Sequence, residues 1–156
     1  MLIKDIPTQT PEMPNAYDSA FTYEEWTDEF ECFDISPETI LVGHSTGGGF
    51  LVRWLSETQQ AISQLVLVAP YLDPDNKKTN SFYLFDFDRS VPERVGRIDM
   101  FVSTDDSVRG VLESRDIIIS NWPNISVHMF NDKGHFTEDD METIAFPELL
   151  EVIVVA

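Results

Sequence analysis

The sequence has little cysteine and little positive charge, and each scarcity excludes a class of protein. Its one cysteine, Cys32, cannot form an internal disulfide or a cysteine-based zinc site, which fits a reducing cytoplasm. We expect it to be a small half-buried residue. Only 10 lysines and arginines stand against 28 aspartates and glutamates, giving a net charge of −18. A field of that sign repels phosphate backbones and anionic lipid, which argues against nucleic-acid and membrane-surface partners.

Long hydrophobic runs are also absent. No apolar run reaches the roughly 18 residues needed to cross a bilayer. The N-terminal "MLIKDIPTQT" lacks the basic and apolar regions of a signal peptide, so we expect a cytoplasmic protein. The composition is nevertheless globular, with 42% hydrophobic residues, 11 phenylalanines and 3 tryptophans. The 156 residues suit a single domain, 1–156, with one core.

The predicted elements alternate between strands and helices. The predicted strands are Leu2–Ile6, Thr39–Val42, Gln64–Ala69, Arg97–Ser103 and Ser126–Phe130. The predicted helices are Thr22–Phe33 (with a Thr22/Glu25 capping box), Gly47–Glu57, Val108–Ser120 and Pro147–Val155. This order predicts an α/β fold, a three-layer α/β/α arrangement around a mostly parallel sheet. The loops that begin at Gly43, Pro70, Thr104 and Asn131 should then meet at the carboxyl edge of the sheet, where reactive groups lie.

The first of these loops contains Gly43-His44-Ser45-Thr46-Gly47, a G-x-S-x-G sequence between a predicted strand and a predicted helix. Such a turn lifts the serine hydroxyl above the sheet and places the helix N-terminus beneath it. Glycines two positions before and two after avoid clashes with the neighbouring chain. A phosphate loop would need a lysine that the segment lacks, and the dinucleotide pattern G-x-G-x-x-G is not matched. A plain tight turn is the remaining alternative.

A serine hydroxyl becomes a good nucleophile only when a base takes its proton. Of the three histidines, His44 adjoins Ser45 in sequence, and its side chain should diverge from the serine. His128 lies within a predicted strand, where packing or surface exposure is the usual role. His135 follows a strand, in a loop at the carboxyl edge, so it is the candidate base.

The base in turn needs a carboxylate that fixes its tautomer and stabilises imidazolium. Asp105 and Asp106 occupy the loop between the serine and histidine loops, while Asp99 and Asp132 are alternatives. The chain order serine, acid, histidine is that of the α/β-hydrolases.

Four segments, "TILVGHSTGGGFLVRWLSE", "LVLVAPYLD", "FVSTDDS" and "KGHF", resemble the small serine hydrolases of the retinoblastoma-binding-protein-9 and YdeN type. The resemblance covers nearly the whole chain and implies a minimal α/β-hydrolase without cofactor or metal. It implies Ser45 as nucleophile, His135 as base and the Thr46 N–H as a donor to the oxyanion hole. In the family's "DDP" pattern the second aspartate is the acid, which favours Asp106 over Asp105.

The family pattern begins with a strand and an oxyanion loop before the segment that resembles "KDIPTQTPEMP". We therefore expect this chain to lack both. The loop usually supplies a second oxyanion donor, and loss of one donor costs on the order of 10²–10³ in turnover. Without the strand, the strand before Ser45 has an open apolar edge, which allows a homodimer to form by edge pairing.

Two functional hypotheses follow. In the first, the chain is a serine hydrolase that acts on small esters or amides through Ser45, Asp106 and His135. In the second, it is a catalytically incompetent fragment, or a binding module that uses the cleft of a former active site. A non-hydrolase doubly wound domain is a third alternative, and it would leave the three side chains far apart. We expect the aromatic run from Phe82 to Phe87 to pack over the sheet and partly line a pocket.

Overall fold

The computed structural model describes residues 6–18, 20–76 and 81–154. The chain divides into two compact units, a short one that ends at Asp34 and a larger one that begins at Ile35. The predicted strand Leu2–Ile6 lies outside the described residues, except for Ile6, which belongs to no strand. That residues 1–156 form a single domain stays a prediction.

The short unit contains helix α1, Tyr23–Phe30. The Thr22 hydroxyl accepts from the Glu25 N–H at 3.2 Å, and the Glu25 carboxylate accepts from the Thr22 N–H at 3.2 Å. These reciprocal bonds satisfy two backbone donors that the first turn leaves without helical partners, and they confirm the predicted capping box. The Trp26 indole N–H donates to the Pro14 carbonyl at 2.8 Å, which ties the helix to the preceding loop.

Helix α1 ends three residues earlier than predicted. The N–H groups of Cys32 and Phe33 donate to carbonyls only three residues back, on Glu29 and Phe30, so the chain leaves the helix in a tight turn. Cys32 is exposed, so the expectation that it is half-buried is wrong. It follows the last helical turn, and its thiol donates to the Asp28 carbonyl at 3.2 Å.

The larger unit is built on a four-stranded parallel sheet with the strand order β1-β2-β3-β4. The strands are β1 (Ile40–His44), β2 (Ile62–Val68), β3 (Val95–Ser103) and β4 (Ser126–Phe130). The helices are α2 (Thr46–Glu57), α3 (Val91–Arg94), α4 (Val111–Asn121), α5 (Glu138–Met141) and α6 (Pro147–Val154), with a 3₁₀ turn at Ser81–Tyr83. Among the described helices, none is long and apolar enough to cross a bilayer.

Helices cover both faces of the sheet. Helix α2 lies on the face to which Gly43 points, because a Cβ at Gly43 would touch the α2 backbone. Helix α6 lies on the other face, where the Gln64 amide donates to the Val152 carbonyl at 3.3 Å. Leu65 and Val66 of the inner strand β2, which point to opposite faces, are both fully buried as a result. This arrangement confirms the predicted α/β fold with a parallel sheet.

Strand β1 ends later than the sequence predicted, and β2 and β3 each begin two residues earlier. Strand β1 continues to His44 instead of Val42, because His44 pairs in register with Val68 of β2. In the part of the chain that the structure describes, β1 is an edge strand, and its Val42 is 47% exposed. The carboxyl ends of β1, β3 and β4 therefore deliver the Ser45, Asp106 and His135 loops to one edge.

Candidate active site

Ser45 lies on a sharp turn between β1 and α2, with φ 53° and ψ −120°. A non-glycine residue with positive φ is strained, so the surroundings must hold it there. The Ser45 N–H donates to the Val68 carbonyl at 2.9 Å. The Ser45 carbonyl accepts from Gly49 and from Tyr71, each at 3.1 Å. Three backbone hydrogen bonds thus fix the residue that carries the hydroxyl.

The glycines around the turn have unequal roles. A Cβ on Gly43 would lie 2.7 Å from the Gly47 carbonyl oxygen, so this position needs glycine, as the sequence predicted. For Gly47 the expectation is wrong, because among the described residues a Cβ there would meet nothing within 4 Å. The tighter approach is at Gly49, where a Cβ would collide with the Tyr71 carbonyl oxygen. At Gly49, the packing of α2 against the loop after β2 thus requires a glycine.

The structure brings the side chains of Ser45, His135 and Asp106 together. The Ser45 Oγ lies 2.9 Å from His135 Nε2, and His135 Nδ1 lies 2.9 and 3.1 Å from the two Asp106 oxygens. Because an ionised carboxylate only accepts, Nδ1 carries the proton and Nε2 accepts from the serine hydroxyl. The Asp106 side chain is fully buried and also accepts from the Val108 N–H at 2.8 Å. The geometry is that of a nucleophile, a base and an orienting carboxylate.

The other candidate carboxylates lie elsewhere. Asp105 accepts from the Ser103 hydroxyl at 2.5 Å and from the Gly134 N–H at 3.1 Å, so it supports the backbone beside His135. These bonds, the Ser103 hydroxyl first, lower the pKa of Asp105 below its usual value. Asp99 is buried in the sheet beneath α6, and Asp132 is exposed. His128 contacts Asp99 at 2.8 Å and is not brought to the serine.

Helix α5, which follows His135 in the chain, holds the loop that carries His135 in place. Gly134 and Phe136, the neighbours of His135, both adopt positive φ, at 50° and 57°. The His135 N–H donates to the Asp140 carboxylate at 2.8 Å, and the Thr137 hydroxyl donates to the same oxygen at 2.8 Å. These donors, the Thr137 hydroxyl first, lower the pKa of Asp140. A short helix, α5, which the sequence did not predict, thus anchors His135.

His44 also reaches His135, a contact that the sequence did not indicate. Its Nε2 lies 2.7 Å from the His135 carbonyl oxygen, and the two imidazole rings are 4.8 Å apart between centroids. A carbonyl only accepts, so His44 Nε2 carries the proton and donates. The only signal in the sequence was a histidine at the second position of the G-x-S-x-G pattern.

Thr46, the first residue of α2, presents a backbone N–H with no hydrogen-bond acceptor among the described residues. Its side chain is fixed by Tyr83, whose hydroxyl donates to Thr46 Oγ1 at 3.0 Å. Burial raises the pKa of Tyr83 to about 12, so the phenol keeps its proton at neutral pH. The free N–H at a helix N-terminus is suited to hold developing negative charge beside Ser45.

An open groove of about 510 Å³ lies beside Tyr83 and is lined by Asn76, Tyr83, Leu84, Phe85 and Asp86. The predicted packing role holds for Phe82, which is buried, with its ring centroid 6.4 Å from that of Phe50 on α2. Within the described residues there is no group of three or more histidine, cysteine or acidic side chains that could hold a metal ion.

A strained serine between a parallel strand and a helix, with an imidazole and a carboxylate from later loops at the same sheet edge, defines the class of α/β-hydrolases. The family model described as serine hydrolase matches residues 8–152. The chain therefore belongs to the serine hydrolase family.

Solved structures share the fold. The chain is similar to the ydeN gene product of B. subtilis, with a TM-score of 0.78 and 23% identity over 92% of this chain and 78% of that one. It is similar to the methylesterase MES16 of Arabidopsis, with a TM-score of 0.55 and 16% identity over 87% and 79% of the two chains. It is also similar to the carboxylesterase CesB of Bacillus subtilis, with a TM-score of 0.53 and 13% identity over 85% of this chain and 64% of that one. None of the curated proteins matches the chain in sequence.

Proposed function

We propose that the chain hydrolyses small esters or amides through a triad of Ser45, His135 and Asp106. The observation that carries the proposal is the unbroken line of hydrogen bonds from the Ser45 hydroxyl through both His135 nitrogens to the Asp106 carboxylate. Membership of the serine hydrolase family supports the same chemistry.

In this mechanism, Ser45 Oγ attacks the substrate carbonyl carbon while His135 Nε2 takes the hydroxyl proton. The Asp106 carboxylate holds the Nδ1 proton and stabilises the imidazolium. The carbonyl oxygen becomes an oxyanion that accepts from the Thr46 N–H. His135 then gives its proton to the leaving alcohol or amine, and an acyl-enzyme remains. A water molecule, deprotonated by His135, attacks the acyl carbon and regenerates Ser45.

A small substrate without negative charge fits the surroundings best. The lining of the groove beside Tyr83 includes the acidic Asp86, and Asp140 of α5 accepts from the His135 N–H. An anionic acyl group would meet these charges at short range. Two structurally similar proteins are a carboxylesterase and a methylesterase, which favours an ester over an amide.

Active-site labelling tests the proposal directly. The purified chain would be treated with a fluorophosphonate probe, which reacts with activated serines, and the labelled peptide would be identified by mass spectrometry. We expect label on Ser45, hydrolysis of p-nitrophenyl acetate, and loss of both in Ser45→Ala. Ser63→Ala, which changes a serine on β2, is the control and should keep both.

A folded chain that takes no label at Ser45 would contradict the proposal and favour the alternative of a binding module in the same cleft. Circular dichroism and a cooperative thermal transition would establish that the unlabelled sample is folded.

A further inference from the structure

His44 links the two loops that must stay together for the proposed chemistry. His44 is the last residue of β1 and directly precedes Ser45. It lies 91 positions before His135 in the sequence, yet its Nε2 lies 2.7 Å from the His135 carbonyl oxygen. This distance is at the short end of the range for an N–H···O bond. The centroids of the His44 and His135 rings are also 4.8 Å apart. The bond therefore ties the nucleophile turn to the backbone of the base.

The bond completes a clamp on one residue. The His135 N–H is held by Asp140 at 2.8 Å, and the His135 carbonyl is held by His44. Both polar groups of that backbone are thus fixed by side chains, on either side of the Cα that carries the imidazole. With the Cα fixed, the ring has little freedom except rotation, and the Asp106 carboxylate restrains that.

Packing does not account for His44. The residue is exposed overall, and the part of its ring that is removed from water lies against the His135 loop rather than in the buried core. The next outward-pointing residue on the same strand is Val42, which is 47% exposed and makes no comparable polar contact among the described residues. What distinguishes His44 is its hydrogen bond to the base loop.

We propose that His44 is a positioning residue, whose Nε2–H holds the His135 loop on the nucleophile turn and so keeps His135 Nε2 within reach of Ser45 Oγ. The inference rests on the proposed function, because it gives the bond a role in that reaction. It assigns His44 no proton transfer and no contact with substrate.

The neutral form of His44 serves this role. Partial removal of the ring from water lowers the pKa of His44, and the nearby His135 ring lowers it as well, so the ring is neutral at pH 7. A neutral His44 donates through Nε2 without placing a second positive charge beside the imidazolium that forms on His135. The hydrogen bond to the His135 carbonyl and the charge of Asp106 raise the pKa of His44, and the loss of hydration outweighs them.

The test uses two amide substitutions that differ only in reach. In His44→Gln the side-chain NH₂ lies close to the place of Nε2, whereas in His44→Asn it lies close to the place of Nδ1 and is too short to reach the His135 carbonyl. We expect His44→Asn to lower kcat for p-nitrophenyl acetate roughly tenfold to a hundredfold with KM within about twofold, since a misplaced base slows chemistry without weakening binding. His44→Gln should restore most of that loss.

Two outcomes would overturn the inference. If His44→Asn matched the wild type in kcat, the bond would have no role in positioning. If His44→Asn and His44→Gln lost kcat and thermal stability equally, His44 would be a structural residue only. The thermal midpoint of each variant separates these cases from misfolding.

A second measurement does not depend on activity. In a ¹⁵N-histidine NMR spectrum of the wild type, we expect His44 as the Nε2–H tautomer, and we expect His44→Asn to broaden or shift the His135 ring signals. If Ser45 takes no label in the wild type, the proposed function fails, and the NMR result still decides whether His44 holds the His135 loop. An Nδ1–H tautomer, or His135 signals unchanged in His44→Asn, would overturn the inference.

Discussion

At the scale of single residues, adjacent aspartates with the same side chain have different tasks. Asp106 turns inward, its side chain is fully buried, and it meets His135 Nδ1. Asp105 turns to the backbone of the neighbouring loop and accepts from the Gly134 N–H and the Ser103 hydroxyl. Asp106 therefore holds the His135 imidazole, and Asp105, one position earlier in the chain, holds the backbone of the His135 loop.

Replacing each aspartate by asparagine separates these tasks. We expect Asp106→Asn to lower kcat roughly 10³- to 10⁴-fold, because an amide that can donate to Nδ1 favours the wrong imidazole tautomer. Asp105→Asn should lower kcat by less than about tenfold, because its amide oxygen still accepts from Gly134. Hydrolysis of p-nitrophenyl acetate under single-turnover conditions measures both. Equal losses in the two variants would remove Asp106 from its proposed role.

The sequence allowed part of this site to be predicted, and the reason is chain order. Ser45, Asp106 and His135 follow three parallel strands, and parallel strands deliver their carboxyl ends to one edge, so pattern and order sufficed to choose the three loops. The choice of Asp106 over Asp105 needed the family resemblance. The contacts of His44 and Tyr83 depend on side-chain directions and on loop paths that no local pattern encodes. His44 was set aside for its proximity to Ser45 in sequence, although its ring reaches the His135 loop.

At the scale of elements, the approach of α2 to the loop after β2 holds Ser45 in its strained conformation. The closest point is Gly49, where a Cβ would collide with the Tyr71 carbonyl oxygen and also lie 3.3 Å from the Tyr83 ring. Gly47 lies two residues earlier on the same helix and has open space. These two glycines therefore form a matched pair.

We expect Gly49→Ala to lower the free energy of unfolding by about 1–3 kcal/mol, because the helix must move away from a backbone oxygen that cannot yield easily. Gly47→Ala should cause no loss, since alanine is a better helix former than glycine and meets no neighbour. Urea denaturation followed by tryptophan fluorescence measures both. A Gly49→Ala protein as stable as the wild type would show that the α2 packing is looser than described.

A second element-scale feature is a polar network across β2, β3 and β4. Asp99 is fully buried and accepts from Gln64 at 2.8 Å, from His128 at 2.8 Å, and from Arg97 at 2.7 and 2.8 Å. Such a carboxylate is stable inside a protein only with its donors in place. The network joins three strands beneath α6.

Removal of the Asp99 carboxylate should lower the stability of the folded protein. We expect Asp99→Ala to lower the free energy of unfolding by about 3–5 kcal/mol, because it leaves several donors around a buried site without an acceptor. Asp116→Ala is the control, because Asp116 pairs with Arg115 at 2.8 Å but is 65% exposed at its side chain. That change should stay within about 0.5 kcal/mol. Similar losses in the two variants would mean that the buried network contributes no more than a surface pair.

The elements themselves were predictable where periodicity was strong, and their ends were not. Strand β4 has the predicted bounds, and α2 begins one residue earlier than predicted. Helices α3 and α5, with four residues each, are too short to give a periodic signal. Helix α5 exists because Thr137 caps it and Asp140 bonds the neighbouring backbone, contacts that depend on where the chain lies after β4.

At the scale of the whole molecule, the net charge of −18 makes stability depend on pH in two opposing ways. Protonation of carboxylates in acid relieves self-repulsion, which favours the folded state. It also removes the bonds of carboxylates such as Asp140, whose pKa the Thr137 hydroxyl and His135 N–H lower. Because the folded state holds this proton less tightly than the unfolded state, Asp140 stabilises the fold above the unfolded pKa and loses that effect as pH falls through the folded pKa.

A pair of neighbours on α5 isolates the second effect. We expect Asp140→Asn to be less stable than the wild type at pH 6, with the difference shrinking below about pH 4. Asp139→Asn removes the same charge one residue away, where no hydrogen bond of the side chain is described, and should not destabilise the protein at pH 6. Urea denaturation from about pH 7 to pH 3 measures both. A difference for Asp140→Asn that stays constant with pH would contradict the assigned bonds.

The same charge should act on substrates, if the chain hydrolyses esters as proposed. The first turn of α5, which follows His135 closely, carries Glu138, Asp139 and Asp140, and Asp86 borders the groove beside Tyr83. A choline ester and its uncharged isostere, 3,3-dimethylbutyl acetate, have nearly the same shape but differ by one positive charge. We expect kcat/KM to favour the choline ester at about 20 mM salt and the preference to fall severalfold at about 0.5 M salt, because salt screens the attraction. Asp86→Asn should reduce the preference at low salt and leave the rate with the uncharged ester nearly unchanged. A preference that does not respond to salt would mean that the charge of the molecule does not reach the approaching substrate.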